Sequence, residues 1–511
     1  MKSTSMNKAA ICCTVLCAAV VSGLPLLGLE LEDAVAASMA QAGDVSIRDK
    51  EFMANAMKVL WWGTTAIQSQ WVRSNQTTGV YNPMNQFTHS GPADPSDASI
   101  VSPNVDVVYN TAWLNLADGP VQLNIPDTEG RFFIAECIHY YQGVFAAPGY
   151  TNGETGKQTV VFHHGDEVPS VAPGISVIRS PTPIMWIVLR VKWNGPDDTE
   201  AAQECAEGFT LQTYGKTPEP TPIPTFHHRG SPWVEPAGSN PHDYVGSGLY
   251  PWVTISDVWQ ENKPWRSDRP YSFDGYKIGG VINEDVIEAS QKVGFDVDGV
   301  FNPKRLTKKQ RNILGQVAEM WNNWLRVYFK YEQRLSIMIN PQNYTSSIFI
   351  NPCTTFTNNN RGYLIRDIVA IAYIAANCAR DAVYFKGDKS TDGKPLNAKH
   401  NRMYTVTIPG NMPVKSTGYW SLTMYNSSNF MLVENSEEIY HYNIQNATPD
   451  EDGNYPVVMS YKQPVKPPYN AEPWNWLPAP DGLFYAVTRV YAPESVVSSG
   501  LYYPPGIEKV E

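Results

Sequence analysis

Three groups of side chains in this sequence are of types that do chemistry. His139 stands among Glu136, Tyr140, Tyr141 and Gln142 in a stretch that reads as a strand. Residues two apart on a strand share a face, so Cys137, His139 and Tyr141 point the same way. An imidazole titrating near neutrality beside a phenol is a general acid or base, which makes His139, Tyr141 and Tyr425 the candidate catalytic groups. Arg131 and Arg179 offer planar guanidinium groups suited to anionic oxygen. Rings and amides are dense around Trp113, Tyr425, Asn426 and Trp474. Aromatic faces stack on the CH faces of a sugar while amides take its hydroxyls, so Asn104, Trp420, Asn475 and Trp476 are the expected contacts to a polyhydroxylated substrate.

Two histidine pairs, His163-His164 and His227-His228, each follow a phenylalanine. Adjacent residues on a strand face opposite ways, so a metal would need one imidazole from each pair and a carboxylate such as Asp166. The sequence assigns no metal set and specifies no cofactor. It has no GxSxG elbow, no GxxxxGK[ST] loop, no HExxH helix and no strand-turn-helix GxGxxG. Their absence argues against the common hydrolases, phosphate-loop enzymes, zinc proteases and dinucleotide dehydrogenases.

The elements that must position these groups follow from composition and pattern. With 511 residues, 42% hydrophobic and only 17% charged, the chain is long enough for several full-sized cores. Forty prolines, 36 glycines and 12% aromatics suit turn-rich β structure. The net charge of -11, without a dense basic run, excludes nucleic acid as a partner. Residues 1–36 read as an export signal: Lys2 and Lys8, an apolar run from Ala9 to Leu29, then Ala34-Val35-Ala36. Export to the periplasm or outside the cell is expected, with no membrane span in the mature chain. Cys137, Cys205, Cys353 and Cys378 follow the leader, and their wide spacing leaves the three possible pairings open.

Apolar spacing predicts helices over 46–74, 197–212, 283–293, 307–330 and 365–381. Strand texture fills 101–193 and 384–491, and a Pro-rich connection covers 217–241. The two strand regions align with each other. Asp106 to Tyr109 matches Asp381 to Tyr384, Asn124-Ile125-Pro126 matches Thr407-Ile408-Pro409, and Phe132-Phe133 matches Tyr419-Trp420. His139 falls opposite Asn426, and Pro181, Trp186 and Arg190-Val191 fall opposite Pro480, Tyr485 and Arg489-Val490. Arg190 and Arg489 sit in apolar runs and need partners if buried, for which Asp106 and Asp381 are the matched acids. The reading is an α+β, mainly β chain of two duplicated jelly-roll-like β-sandwiches with helices packed around them. Its segments are a helical piece (45–95), a first sandwich (96–215), a connection with a helical layer (216–380) and a second sandwich (381–495).

Several motifs then carry a family resemblance. Ser102-Pro103-Asn104-Val105-Asp106-Val107-Val108-Tyr109, Gly119-Pro120, Ile125-Pro126-Asp127, Gly130-Arg131-Phe132-Phe133 and Ile178-Arg179-Ser180-Pro181-Thr182 resemble the bacterial domain of unknown function 1254. Asp392-Gly393, Gly418 to Tyr425, Asp452-Gly453 and Trp474-Asn475-Trp476-Leu477-Pro478-Ala479-Pro480 resemble its companion, domain of unknown function 1214. The resemblance implies two related β-sandwich domains, often exported, and brings no catalytic set. The expected function is an exported soluble enzyme, a hydrolase or lyase acting on a small organic or glycan-derived substrate. The alternative is a noncatalytic envelope protein that captures a glycan or hydrophobic small molecule, and a third reading uses the aromatic surfaces for homo-oligomer contacts.

Overall fold

Ser46 caps the first helix by accepting a hydrogen bond from the Asp49 backbone N–H at 3.2 Å. That helix, α1 (Ile47–Gln76), buries residues on nearly every side, polar Thr64, Gln68, Ser69 and Arg73 among them, and so is covered by other elements all round. A short helix, α2 (Thr199–Glu207), lies on the first sandwich, while α3 (Tyr250–Glu261), α4 (Glu284–Lys292), α5 (Lys308–Tyr331) and α6 (Asn360–Ala372) enclose α1. The computed structural model describes residues 46–77, 84–96, 102–150, 157–214, 248–331 apart from 265, 267, 274 and 275, then 338–339, 346–349, 353, 360–465 and 474–510. The leader, the Pro-rich connection and His227-His228 lie outside them.

The first half contains β1 (Thr88–Ser90), β2 (Val107–Asn115), β3 (Val121–Ile125), β4 (Phe133–His139) and β5 (Val144–Ala146). It continues with β6 (Gln158–His163), β7 (Ser176–Arg179), β8 (Ile184–Lys192) and β9 (Thr210–Thr213). These form sheets of order β1-β2-β8-β4-β5 and β7-β6-β3-β9. A hairpin, β10 (Tyr271–Phe273) and β11 (Tyr276–Ile278), sits in the helical layer.

The second half contains β12 (Met338–Ile339), β13 (Ser346–Phe349), β14 (Ala382–Gly387), β15 (Tyr404–Ile408) and β16 (Val414–Asn426). After these come β17 (His441–Asn443), β18 (Tyr455–Ser460), β19 (Asn475–Pro478), β20 (Phe484–Pro493), a short α7 (Ser495–Ser498) and β21 (Glu508–Lys509). Its sheets are β12-β13-β14-β20-β16-β17 and β19-β18-β15-β21. Val383, Trp420 and Val490 from one sheet pack with Val406, Val457 and Leu477 from the other to make its core.

The halves share one plan. Substituting β14, β20, β16 and β17 for β2, β8, β4 and β5 reproduces four consecutive strands of the larger sheet, and β19, β18, β15 and β21 for β7, β6, β3 and β9 reproduces the whole of the smaller one. Each half also has one parallel pair among its described strands, β6 with β7 and β18 with β19. The register agrees residue by residue. Tyr109 pairs with Arg190 as Tyr384 pairs with Arg489, Phe133 with Val191 as Trp420 with Val490, and His139 with Met185 as Asn426 with Phe484. Even a loop bond repeats: the Trp193 N–H donates to the Asp106 carbonyl and the Ala492 N–H to the Asp381 carbonyl, both at 2.8 Å.

Two helix expectations change. The stretch 197–212 is helical only to Glu207, after which Thr210–Thr213 pairs with β3 as an edge strand. The last long helix covers Asn360–Ala372 rather than 365–381, because Tyr373 to Asp381 forms an arm with Ala375 at φ 54°. Cys353 and Cys378 are joined as a disulfide, and Cys137 and Cys205 are free.

The expected partners of the buried arginines are also corrected. Arg190 pairs with Glu136 at 2.9 Å and donates to the Ala375 carbonyl. Arg489 donates to Thr423 Oγ1 (2.9 Å), Tyr425 Oη (2.7 Å) and the Ser102 carbonyl (3.3 Å). Asp106 instead accepts from Ser421 Oγ and Tyr491 Oη, and Asp381 pairs with Arg380. The reason is an exchange of arms. Ser102–Asp106, ahead of β2, lies on the second half, and the arm ahead of β14 lies on the first. Each arginine therefore holds a carbonyl of the other half's arm.

Candidate functional site

The exchange brings the starts of β4 and β16 face to face. Glu129-Gly130-Arg131-Phe132 leads into β4, and Ser416-Thr417-Gly418 falls in the register shift of β16 between Val414 and Tyr419. With Tyr150, Lys192, Asn194 and Gln445 they line a cleft of about 430 Å³, a volume suited to a small molecule. Gly418 is required there, because a Cβ would stand 2.3 Å from the Tyr491 carbonyl oxygen.

Charge in the cleft is arranged unevenly. Arg131 gives Nη1 and Nη2 to the two carboxylate oxygens of Asp198 (2.6 and 2.8 Å) and donates to the Lys192 carbonyl (2.9 Å). Its charge is thereby neutralised, and it fixes the backbone that carries Lys192. Lys192 is 7% exposed, and its Nζ rests 4.2 Å from the centre of the Tyr419 ring. It makes no ion pair with any carboxylate among the described residues. Burial pushes its pKa down to about 8; Asp106 and Asp198 pull it back and Arg131 pushes it further. Phe132, Tyr419 and Tyr491 form the aromatic floor, with the two tyrosine rings stacked at 4.4 Å.

Several buried polar atoms around this floor lack a hydrogen-bond partner. Tyr150 Oη and Asn194 Oδ1 belong to the lining, and Tyr419 Oη, Asp106 Oδ1, His441 Nε2 and Asn443 Nδ2 belong to the layer behind it. His441 Nε2 lies 3.8 Å from Asp106 Oδ1, and burial holds its imidazole below the usual range, hence neutral at pH 7. Buried polar groups are almost always satisfied, so a cluster of unsatisfied ones marks a place where water or a polar ligand belongs.

The residues singled out from sequence are spread through the molecule. Arg131 lines the cleft. Asn104 donates to Tyr491 Oη at 2.7 Å and Tyr425 donates to the Pro103 carbonyl at 2.7 Å, so both join the clasp behind the aromatic floor. His139 and Tyr141 lie at the other end of β4, roughly 20 Å along the strand, against the helical layer. The Tyr141 backbone N–H donates to His139 Nδ1 (3.1 Å), which places the ring proton on Nε2, 3.2 Å from Tyr271 Oη. Burial and the Arg366 charge hold this imidazole well below its usual range. Tyr141 stacks on Trp62 and donates to the Asn262 carbonyl.

The remaining groups have partners of their own. Arg179 pairs with the exposed Asp166, which also binds Arg269. Trp420 is 1% exposed in the second core, Asn475 bonds backbone at Thr448 and Pro456, and Trp476 donates to Ser460. His164 faces the Ser180 carbonyl, and among the described residues no three His, Cys, Asp or Glu side chains are grouped to hold a metal. None of the described helices is long and apolar enough to cross a membrane. Reasoning from sequence missed Lys192, Tyr150, Asn194, Tyr419 and His441. The available signal was in the repeat: Lys192 falls opposite Tyr491, an unmatched cation beside a matched arginine.

A family model described as Protein of unknown function (DUF1254) matches residues 84–213, and one described as Protein of unknown function (DUF1214) matches 381–495. No curated protein matches the chain. The solved VPA0106 protein from Vibrio parahaemolyticus is 18% identical with a TM-score of 0.63, over 90% of this chain and 100% of that one, and shares its fold. A putative uncharacterized protein from Burkholderia cenocepacia aligns over 90% of this chain and 93% of its own, at 9% identity and a TM-score of 0.39.

Proposed function

The chain belongs to the two-domain family in which DUF1254 precedes DUF1214, and from that premise we propose that it takes a small organic anion into the cleft between its sandwiches. One observation carries the reading: Lys192 is a buried cation that pairs with no carboxylate among the described residues, at the wall of a small-molecule-sized cleft. Removing an ammonium from water is costly unless something compensates. The face of Tyr419 compensates in part, and an anionic ligand oxygen would complete it. Tyr150 and Asn194 offer the same ligand a hydroxyl and an amide oxygen. The neutralised Arg131–Asp198 pair holds the Lys192 backbone in place.

Turnover of that ligand, as a hydrolase or lyase, is a second reading. An amine poised near neutrality, with the Asp106 carboxylate and the His441 imidazole behind it, favours it. The expected export signal places the protein in the periplasm or outside the cell, and the Cys353–Cys378 disulfide supports an oxidising compartment. The glycan reading has less support at the cleft, because Trp420 and Trp476 lie elsewhere. Calorimetric titration with a panel of small mono- and dicarboxylates tests the proposal: at least one should bind, and Lys192→Met should weaken it roughly tenfold or more, the loss of a charge-assisted contact. Equal affinity in the variant would remove Lys192 from the site. Product analysis of the bound anion then separates capture from turnover.

A further inference from the structure

We propose that Lys192 is a nucleophile that captures carbonyl-bearing organic anions, such as 2-oxo acids, as a covalent imine in the interdomain cleft. The inference rests on the reading of the cleft as an anion site and adds a bond to it. Three observations point to an amine meant to react as well as attract. Among the described residues Nζ has no carboxylate at ion-pair distance and no hydrogen-bond acceptor, and it rests on the ring of Tyr419. The backbone of Lys192 is pinned by Arg131, itself locked on Asp198, so the amine is held against the cleft wall. The Tyr150 hydroxyl at the lining has no hydrogen-bond partner among the described residues and is open to one from a ligand. Desolvation is one means by which proteins activate a lysine amine, and it is the largest influence on this one, acting against the pull of Asp106.

The step balances without any oxidant or reductant. The neutral amine attacks the carbonyl carbon, the C=O π pair moves to oxygen, and a carbinolamine forms. A proton taken up from solvent goes to that hydroxyl, which leaves as water, and the nitrogen lone pair closes the C=N bond while nitrogen keeps its hydrogen, giving an iminium. The resulting iminium withdraws electrons from the neighbouring carbon, so that loss of a proton or a carbon fragment there becomes easier. That is carbon–carbon lyase chemistry.

The test uses the full-length protein with glyoxylate and sodium cyanoborohydride at pH 7.5, followed by peptide mass spectrometry. A lysine titrating near 8 holds on the order of a hundredfold more free amine at that pH than an ordinary one. Its lower basicity makes it a somewhat weaker nucleophile, so labelling of Lys192 should outpace that of the exposed Lys394 and Lys309 by roughly tenfold or more. Lys192→Arg should lose the fast adduct, because a guanidinium does not form an imine under these conditions. Labelling of Lys192 no faster than that of Lys394 would overturn the inference. If glyoxylate still binds reversibly in that case, the anion reading survives without the covalent step; if it does not bind, both fail.

Discussion

The two sandwiches share strand order, register and a buried arginine at the same place on the same strand, yet each arginine is neutralised differently. In the first half Arg190 meets a carboxylate, Glu136, which burial pushes up against the arginine's pull. In the second half the place of Glu136 is taken by Thr423, and Arg489 is satisfied by hydroxyls and a carbonyl. What both keep is the bond to the arm of the other half. The shared feature is thus the clasp that joins the halves. Features lacking a match, Lys192 opposite Tyr491 and Arg131 opposite Gly418, gather at the cleft.

The largest expected effect would break this comparison at the arginines. Arg190→Met leaves Glu136 buried and unpaired and should cost about 3–5 kcal/mol, whereas Glu136→Leu added to it should recover most of that loss. Arg489→Met strands hydroxyls and a carbonyl and removes only a through-space attraction to Asp106, so it should cost about 1–3 kcal/mol. Urea unfolding midpoints of the three variants decide the order, and equal losses for the two single variants would contradict the distinction.

Lys192 gives the next effect, with a sign opposite to most substitutions. Its folded pKa of about 8 lies below the ordinary lysine value of about 10.4. Between those two values the unfolded chain holds a proton that the folded chain has released, so stability rises with pH across that window. At pH 7 both states are protonated and the desolvation cost is fully present. Lys192→Met should therefore stabilise the ligand-free protein at pH 7 by about 1–3 kcal/mol, and the gain should shrink as pH rises from 8 to 10. Thermal melts across that range would show it, and a destabilised variant at pH 7 would argue that Lys192 belongs to the frame.

Arg131 and Gly418, which stand at the same position of the two halves but differ in kind, sharpen the comparison further. Gly418→Ala pushes a methyl against the Tyr491 carbonyl and should cost about 1–3 kcal/mol. Arg131→Ala should cost about 1 kcal/mol in stability but should loosen Lys192 and weaken anion binding. The smallest effect is expected at the end of β4 far from the cleft. His139→Asn, which copies Asn426 of the second half, should cost about 1 kcal/mol in melting and leave calorimetric anion binding unchanged.

The duplicated frame was legible in the sequence because strand pairing repeats with fixed register, so matched residues such as Tyr109 and Tyr384 keep equivalent neighbours. The arm exchange was not, because a bond from Arg190 to a carbonyl of the other half leaves no local trace. The same limit explains the arginine partners: Asp106 is close in the repeat, but its carboxylate reaches Ser421 across the interface. The cleft escaped for a related reason. Its walls come from positions far apart in sequence, and Lys192 sits at the end of an apolar strand where a lysine ordinarily reaches out to water. His139 stood out as a residue type, but burial and two hydrogen-bond partners make it part of the packing between sandwich and helices.

The most direct test of the account is the titration of Lys192 itself. Lysines dimethylated with ¹³C and followed by NMR should show one resonance, absent from Lys192→Arg, that titrates near 8 and apart from the rest. If the Lys192 resonance titrates with the others, its amine is solvated or neutralised, and the cleft between the halves has no special cation to offer a ligand.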